Sequence, residues 1–174
     1  MADENNDMEK VLDSTEDLDD QYLTFVLAGE VYGVEILRVE EIRGWEMVTR
    51  IPNSPQYMKG ILNIRGVIVP VINLRERFDI EAIDYSATTV VIILKVESYD
   101  KDHIVGIVVD AVSDVLDAKK TDVKKAPDFG DAVNTECISG LIEANDRMVM
   151  LLNVDKMLGE ERAEAEEDTE DEAA

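Results

Sequence analysis

The stretch Gly60–Leu74, GILNIRGVIVPVINL, holds a single charge, Arg65, in fifteen residues, and β-branched side chains dominate the rest. A run this apolar, interrupted by one glycine and one proline, predicts two short buried strands with a tight corner between them. Gly66 permits the corner. Pro70 has no N–H, so its strand must lie at an edge or carry a bulge there. A guanidinium beside so much isoleucine and valine needs a carboxylate partner or a route to water. Arg65 therefore either packs its stem and sends its head to solvent, or ties together two elements of one recognition surface.

The flanking sequence continues in short strands. Tyr22–Ala28 and Val31–Ile36, separated by Gly29-Glu30, predict a hairpin. Apolar positions then fall at Ile36, Val39 and Ile42, a spacing that suggests one or two helical turns or a bulged strand end. Trp45–Ile51 alternates partly, which predicts another strand. Ser54 as N-cap, Pro55 at the first helical position and Gly60 as the stop predict a short helix over 55–59. Arg75–Ala87 is a polar connection, and Thr88–Val96 has the composition of a strand buried on both faces. Ile104–Val109 returns from a turn, Val112–Leu116 extends the apolar pattern, and 117–136 is a long loop. Cys137–Ile142 and Arg147–Val154 flank Ala144-Asn145-Asp146 as a last hairpin. Asp155–Gly159 opens a charged helical run.

Two segments repeat in order. Gly33–Ile42 sets against Gly106–Val115 at an offset of 73, with the glycine, four apolar positions and the acid at Glu41 all matched. Gly60-Ile-Leu sets against Gly140-Leu-Ile and Ile68–Leu74 against Met148–Val154, placing Asn73 on Asn153 at an offset of 80. Apolar strands resemble one another by chance, but shared glycine and asparagine positions favour two similar β units. Many short strands with Gly and Pro punctuation predict a mainly β chain of two small barrels meeting along a groove. The expected organisation is an acidic disordered tail over 1–20, a first barrel over 21–86, a second over 87–159 and an acidic tail over 160–174. The pattern leaves strand exchange between the two barrels open.

The net charge of −23 is concentrated at the ends, where each tail carries nine acids against one base. Such tails are solvated. They argue against nucleic acid as a partner, because phosphate neutralisation needs clustered Lys and Arg. The one basic cluster, Lys119, Lys120, Lys124 and Lys125, is interleaved with aspartates and fits a solvated loop. One cysteine, Cys137, excludes an internal disulfide. No apolar run is long enough to insert in a membrane, and the acidic N-terminus is unlike a secretion signal. A cytoplasmic location is expected.

Chemistry is hard to find. The lone histidine, His103, lies in a polar turn, and with one Cys and one His no zinc cluster can be built from the usual ligands. No serine sits in a nucleophile elbow and no Gly-Lys-Ser/Thr marks a phosphate loop. No catalytic residue, metal site or cofactor is expected. What remains is a binding module. Ile36, Val39 and Ile42 either pack a barrel or form an apolar stripe, flanked by charge, that accepts a partner helix. A generic β-barrel binding module is the competing class, with a carboxylate-based hydrolase third.

Tyr32–Ile42, Thr49–Pro55, Lys59–Pro70 and Gly106–Val115, in that order and spacing, resemble the CheW-like domain family of bacterial chemotaxis coupling proteins. The likeness runs from about Tyr22 to Leu158. It implies two packed SH3-like five-stranded β-barrels with short helices and a C-terminal helix. It implies an adaptor of two-component signal transduction that joins the cytoplasmic tips of transmembrane chemoreceptors to the regulatory domain of the histidine kinase CheA. Such a coupler is a monomer when free and is recruited to receptor arrays at the inner face of the membrane. Carried onto this sequence, the receptor-binding groove comprises Ile36, Val39, Glu41, Ile42, Val112, Ser113 and Val115. The kinase-binding face comprises Trp45, Val48, Thr49, Ile51 and Lys59, and Arg65 is expected to pair with Glu41. The absence of a fused kinase or receiver domain favours a free coupler, serving a flagellar or another sensory array.

Overall fold

The computed structural model describes residues 17–118, 122–127 and 136–158. Ten strands run in chain order: β1 Gln21–Leu27, β2 Glu30–Glu35, β3 Val39–Gly44, β4 Met58–Ile64, β5 Val67–Asn73, β6 Val90–Val96, β7 His103–Val109, β8 Ala111–Asp117, β9 Ile138–Ala144 and β10 Arg147–Leu152. Two short helices follow β5 and β10, α1 at Leu74–Arg77 and α2 over 154–158. The protein is mainly β, as its strand-rich composition predicts. The acidic ends, residues 1–16 and 160–174, lie outside the described residues, as does part of the 117–136 loop. Asp17–Asp20 form a 3₁₀ turn.

The strands make two five-stranded sheets, ordered β8-β1-β2-β10-β9 and β3-β6-β7-β5-β4. Each sheet takes two strands that adjoin one another from one half of the chain and three from the other half. The repeat explains the pattern. β2 pairs in parallel with β10 through Gly33↔Leu151, and β7 pairs in parallel with β5 through Gly106↔Val71. These are the residues that the offsets of 73 and 80 equate. Strands one and two of each repeat therefore join the third, fourth and fifth strands of the other. A cut between residues 86 and 87 would separate β3 and β5 from their hydrogen-bonded neighbours β6 and β7, and β1 and β2 from β8 and β10.

Three apolar clusters follow from strand alternation. A central one takes Phe25, Leu27 and Val34 from one sheet and Ile72, Ile92, Leu94 and Ile107 from the other, closed by Met157 and Leu158 of α2. Val69, Val71, Val91, Ile93 and Val108 fill the far face of the second sheet. Val31, Ile142, Val149 and Leu151 fill the far face of the first. β6 thus sends alternate residues into two cores, which is why its sequence is an unbroken apolar run.

Local expectations fare unevenly. The helix expected over 55–59 is instead a turn closed by Met58 N–H donating to the Pro55 carbonyl at 3.0 Å. The Ser54 hydroxyl donates back to the Ile51 carbonyl rather than capping anything, and β4 already begins at Met58. Trp45–Ile51 is not a full strand; only Thr49 bridges to Ile61. The polar connection after Leu74 contains α1, whose first N–H groups are capped by the Asn73 side chain. Asn153 accepts the Lys156 N–H in the equivalent place, so the repeated asparagine is a helix cap. Pro70 lies in an internal strand, but the ladder between β5 and β7 begins only at Val71, so its missing N–H disrupts nothing on that side.

Candidate functional site

The chain crosses between sheets twice, and both crossings feed an edge strand. From β2, a 3₁₀ turn at Ile36–Arg38 leads into β3. From β7, Asp110 leads into β8. β3 and β8 end their sheets, and among the described residues no further backbone bridge covers either one. β4 and β9, the other two edges, are each covered by one bridge, from Thr49 and Lys124.

Each uncovered strand carries a bulge. In β3 the register slips between Val39 and Glu41, so that Val39 opposes Leu94 and Ile42 opposes Ile92. Leu94 and Ile92 both belong to the central cluster. Residues directly opposite each other in a sheet share a face, so the bulge turns Val39 and Ile42 to the same side despite their odd spacing. In β8 the slip places Val112 opposite Phe25 and Val115 opposite Leu23, again central-cluster residues. The Thr24 hydroxyl pins this second bulge, donating to the Asp114 carbonyl at 2.8 Å and accepting the Asp114 N–H at 3.0 Å. The apolar spacing at 36, 39 and 42 is thus one 3₁₀ turn followed by a bulged strand, a combination of the two expected forms.

Ile36, Val39 and Val112 half-bury themselves against the central cluster. Ile42 and Val115 remain 44% and 47% exposed, and Ser113 is exposed beside them. Leu37, on the same 3₁₀ turn, is also exposed. The result is an apolar rim on two uncovered strands around one core.

Glu41 opposes Ile93, a residue of the other cluster, and so points away from Val39 and Ile42. There it meets Arg65, whose Nη2 lies 3.4 Å from Oε2. Arg65 occupies the corner between β4 and β5 at a φ of +51°, followed by Gly66 at +85°, with the Gly66 N–H held by the Asn63 side chain at 2.9 Å. Its side chain is 83% exposed, so the stem packs little and the pair is wet. An apolar cleft of about 230 Å³ opens beside it, lined by Glu41, Ile64, Arg65, Val67, Val69 and Ile104.

Of the residues assigned to the kinase-binding face, Trp45, Val48, Thr49 and Ile51 lie on the segment between β3 and β4, and Lys59 is the second residue of β4. The Trp45 ring packs on Tyr85 at 4.3 Å, and Val48 packs on the second sheet's far core. Burial raises the Tyr85 phenol above its ordinary pKa, and its oxygen accepts from Asn73 Nδ2 at 2.9 Å. Thr49 is fixed by two backbone bonds to Ile61, of 3.0 and 2.8 Å. Lys59 Nζ sits 2.5 Å from Glu76. Ile51 is exposed, and Met47, which no sequence feature singles out, is 93% exposed.

Two ion pairs that the sequence reading does not anticipate stand behind the crossings. Arg38 donates through Nη1 and Nη2 to both oxygens of Asp155 at 3.0 and 2.9 Å. Arg75 donates through Nε and Nη2 to both oxygens of Asp110 at 2.7 and 2.6 Å. The Arg75 hydrogen bonds hold the Asp110 carboxyl below the usual aspartate range against the opposing effect of burial, and the Ala28 N–H lowers it further. The repeat offers a signal that would have found them, because the offset of 80 sets Arg75 on Asp155, two opposite charges. Among the described residues no group of three His, Cys, Asp or Glu is placed to hold a metal, and no helix is long and apolar enough to cross a membrane.

Comparison with known proteins gives one family throughout. The CheW-like domain matches residues 21–162. Chemotaxis protein CheW of Klebsiella aerogenes is 44% identical over 141 residues, covering 81% of this chain and 82% of that protein. Chemotaxis protein CheW of Rhizobium meliloti is 30% identical over 145 residues, covering 83% and 91%. The crystal structure of the scaffolding protein TtCheW from Thermoanaerobacter tengcongensis superposes with a TM-score of 0.71 at 28% identity, over 80% of this chain and 88% of that one.

Proposed function

The chain belongs to the CheW-like domain family of chemotaxis scaffold proteins, which are not enzymes, and from that premise we propose that it couples the cytoplasmic tips of transmembrane chemoreceptors to the regulatory domain of the histidine kinase CheA. The observation that carries the receptor half of this reading is the pair of equivalent bulges. They turn Val39 with Ile42, and Val112 with Val115, toward one shared core from two uncovered strands. An amphipathic helix laid there covers apolar surface that the fold leaves in water, and its polar face stays wet. Glu41 and Arg65 lie on the other face of β3, so in this reading they border the receptor contact from behind.

The kinase half rests on Trp45–Ile51 and Lys59. The segment is fixed by the Thr49 bridge and the Trp45–Tyr85 contact, yet it exposes Ile51 and Met47. A rigid segment with outward aliphatic side chains suits docking of a second β domain. Neither surface is large, and small interfaces give weak, transient contacts that an array multiplies through effective concentration. The working location is the cytoplasm, at receptor arrays on the inner face of the membrane, with the free protein monomeric.

A pull-down on a soluble chemoreceptor signalling fragment, with and without CheA, tests the reading. Val39→Asp is expected to abolish receptor capture with the far-UV spectrum unchanged and CheA regulatory-domain binding retained. Undiminished capture of that variant would remove the groove assignment.

A further inference from the structure

The two sheets are built from two repeats that exchange strands, and each exchange passes through a crossing beside the apolar rim. At the first crossing, Arg38 sits one residue before Val39 and grips Asp155 with two hydrogen bonds. Asp155 also accepts the Glu97 N–H at 2.8 Å, and the Glu97 carboxylate lies 3.3 Å from Arg38. Glu35 stands 3.9 Å away on the same turn. At the second crossing, Asp110 sits two residues before Val112 and is gripped by Arg75, with Ala28 N–H donating at 2.9 Å. Arg75 also donates to the Glu81 carbonyl at 3.0 Å.

Polarity is the informative feature. Arg75 lies on α1 and Asp155 on α2, in equivalent positions two residues after their capping asparagines. At one crossing the arginine is on the crossing and the acid on the helix; at the other the arrangement is reversed. A bidentate arginine–carboxylate pair fixes orientation as well as distance. Joining the crossings to the wrong helices would set Arg38 against Arg75 and Asp110 against Asp155, two like-charge contacts in place of two attractive ones. Charge patterns of this kind select one pairing by penalising the other.

We propose that Arg38–Asp155 and Arg75–Asp110 are positioning pairs for the receptor-binding groove: each fixes the crossing that carries one apolar wall, and their opposite polarity assigns each crossing to its own helix. The inference rests on the groove reading above. The pairs do not touch the partner. They act by holding Ile36 and Val39 on one side, and Val112 on the other, at the separation a docked helix needs, since an error of about an ångström in a preformed site is costly.

The test compares two affinities in the full-length protein. Arg38→Ala and Asp155→Asn are titrated against a soluble chemoreceptor signalling fragment and, separately, against the CheA regulatory domain, with Val39→Asp in parallel. The expected result is receptor affinity about tenfold weaker for each, in line with loss of one charge-assisted interaction. Kinase-domain affinity should stay within about twofold, and the double variant should bind no more weakly than the single ones, as members of one unit behave. Asp155→Asn keeps the side-chain shape, so it remains informative if Arg38→Ala does not fold. Receptor affinity held within about twofold while Val39→Asp loses binding would overturn the positioning role and leave the groove standing. A parallel fall of both affinities, or failure of both variants to fold, would reduce the pairs to general stability and overturn it too. Retained receptor binding by Val39→Asp would remove the groove reading itself, and this inference with it.

Discussion

Replacing Gly60 by alanine should unfasten the segment on which the proposed kinase contact depends. Gly60 sits at a φ of +150°, and a Cβ there would run into the main-chain carbonyl of Thr49, with the carbonyl carbon only 2.7 Å away. Backbone cannot swing aside as a side chain can. The Thr49 strand fragment must move out, and its two hydrogen bonds with Ile61, of 3.0 and 2.8 Å, go with it. About 1 kcal/mol of backbone strain and about 1 kcal/mol for each bond sum to roughly 2–4 kcal/mol. A domain of ordinary stability, about 5–15 kcal/mol, survives that loss, so the variant should fold and unfold in urea with a midpoint lowered by roughly 1–2 M at unchanged slope. Gly140 is the matched control, because it occupies the equivalent place under the Lys124 bridge. Its nearest obstacle is a methyl of Val123, the end of a side chain that can rotate, and the Lys124 carbonyl is a tolerable 3.2 Å away. Gly140→Ala should therefore cost about 1 kcal/mol. The same titrations should show the CheA regulatory domain binding Gly60→Ala more weakly than Gly140→Ala. Equal midpoints for the two variants, or a Gly60→Ala protein within about 0.5 kcal/mol of the parent, would refute the reasoning.

Three further expectations are independent of that one. The Arg65–Glu41 pair, 3.4 Å apart with the arginine largely in water, should show a coupling of only about 0.2–1 kcal/mol in a double-mutant cycle, shrinking in high salt; additive losses would mean no pair in solution. Asp110 is held below the usual aspartate range by Arg75, so its folded pKa is depressed. Its contribution to stability is full above about pH 4 and is lost as pH falls through the folded value. Denaturant midpoints measured between pH 6 and 2 should accordingly fall less steeply for Asp110→Asn than for the parent, and parallel curves would contradict it. Gly106→Ala would push a Cβ to 3.0 Å from Val91 and 3.2 Å from Ile93 in the packed far core of its sheet; thermal unfolding should report a loss of about 1–3 kcal/mol.

Composition and punctuation were enough to predict a mainly β chain with the hairpins at 22–36, 60–74 and 137–154, because apolar alternation and turn residues act locally. The repeat was visible too, through Gly33 with Gly106 and Asn73 with Asn153. Its use was not visible. Glycine at both positions leaves room for Leu151 or Val91 from neighbouring strands, and nothing local says which half of the chain those neighbours come from. The misread helix at 55–59 shows the same limit. Ser-Pro followed by glycine fits a helix start and stop, but Pro55 and Met58 close a turn and Gly60 is needed for close approach to Thr49. The spacing at 36, 39 and 42 was ambiguous for a physical reason. A bulge inserts one residue and converts a period of two into a step of three, which a short window cannot tell from a helix.

Strand exchange explains why the proposed receptor surface sits where it does. If each repeat closed on its own five strands, the chain would pass from β2 to β3, and from β7 to β8, without leaving its sheet. Instead both passages cross over the central cluster, where Ile36, Val39 and Val112 are anchored. The strands that follow arrive at the ends of opposite sheets. Two edges thereby come to border one core, and the bulges at Glu40 and at Ser113-Asp114 turn the next apolar side chains, Ile42 and Val115, toward it. Uncovered edges are an aggregation hazard in most β proteins, and bulges are a standing device for blunting them. Here the same two bulges that interrupt pairing also present the aliphatic rim. Straightening one should therefore expose the blunting role by itself. Deleting Glu40 would restore regular alternation in β3 and leave a longer, flatter edge, while Val39 and Ile42, then two residues apart, would still share the face of the central cluster. The protein should self-associate more readily on sedimentation while receptor capture is retained, and a variant that stays as monomeric as the parent would remove the blunting role of the bulge.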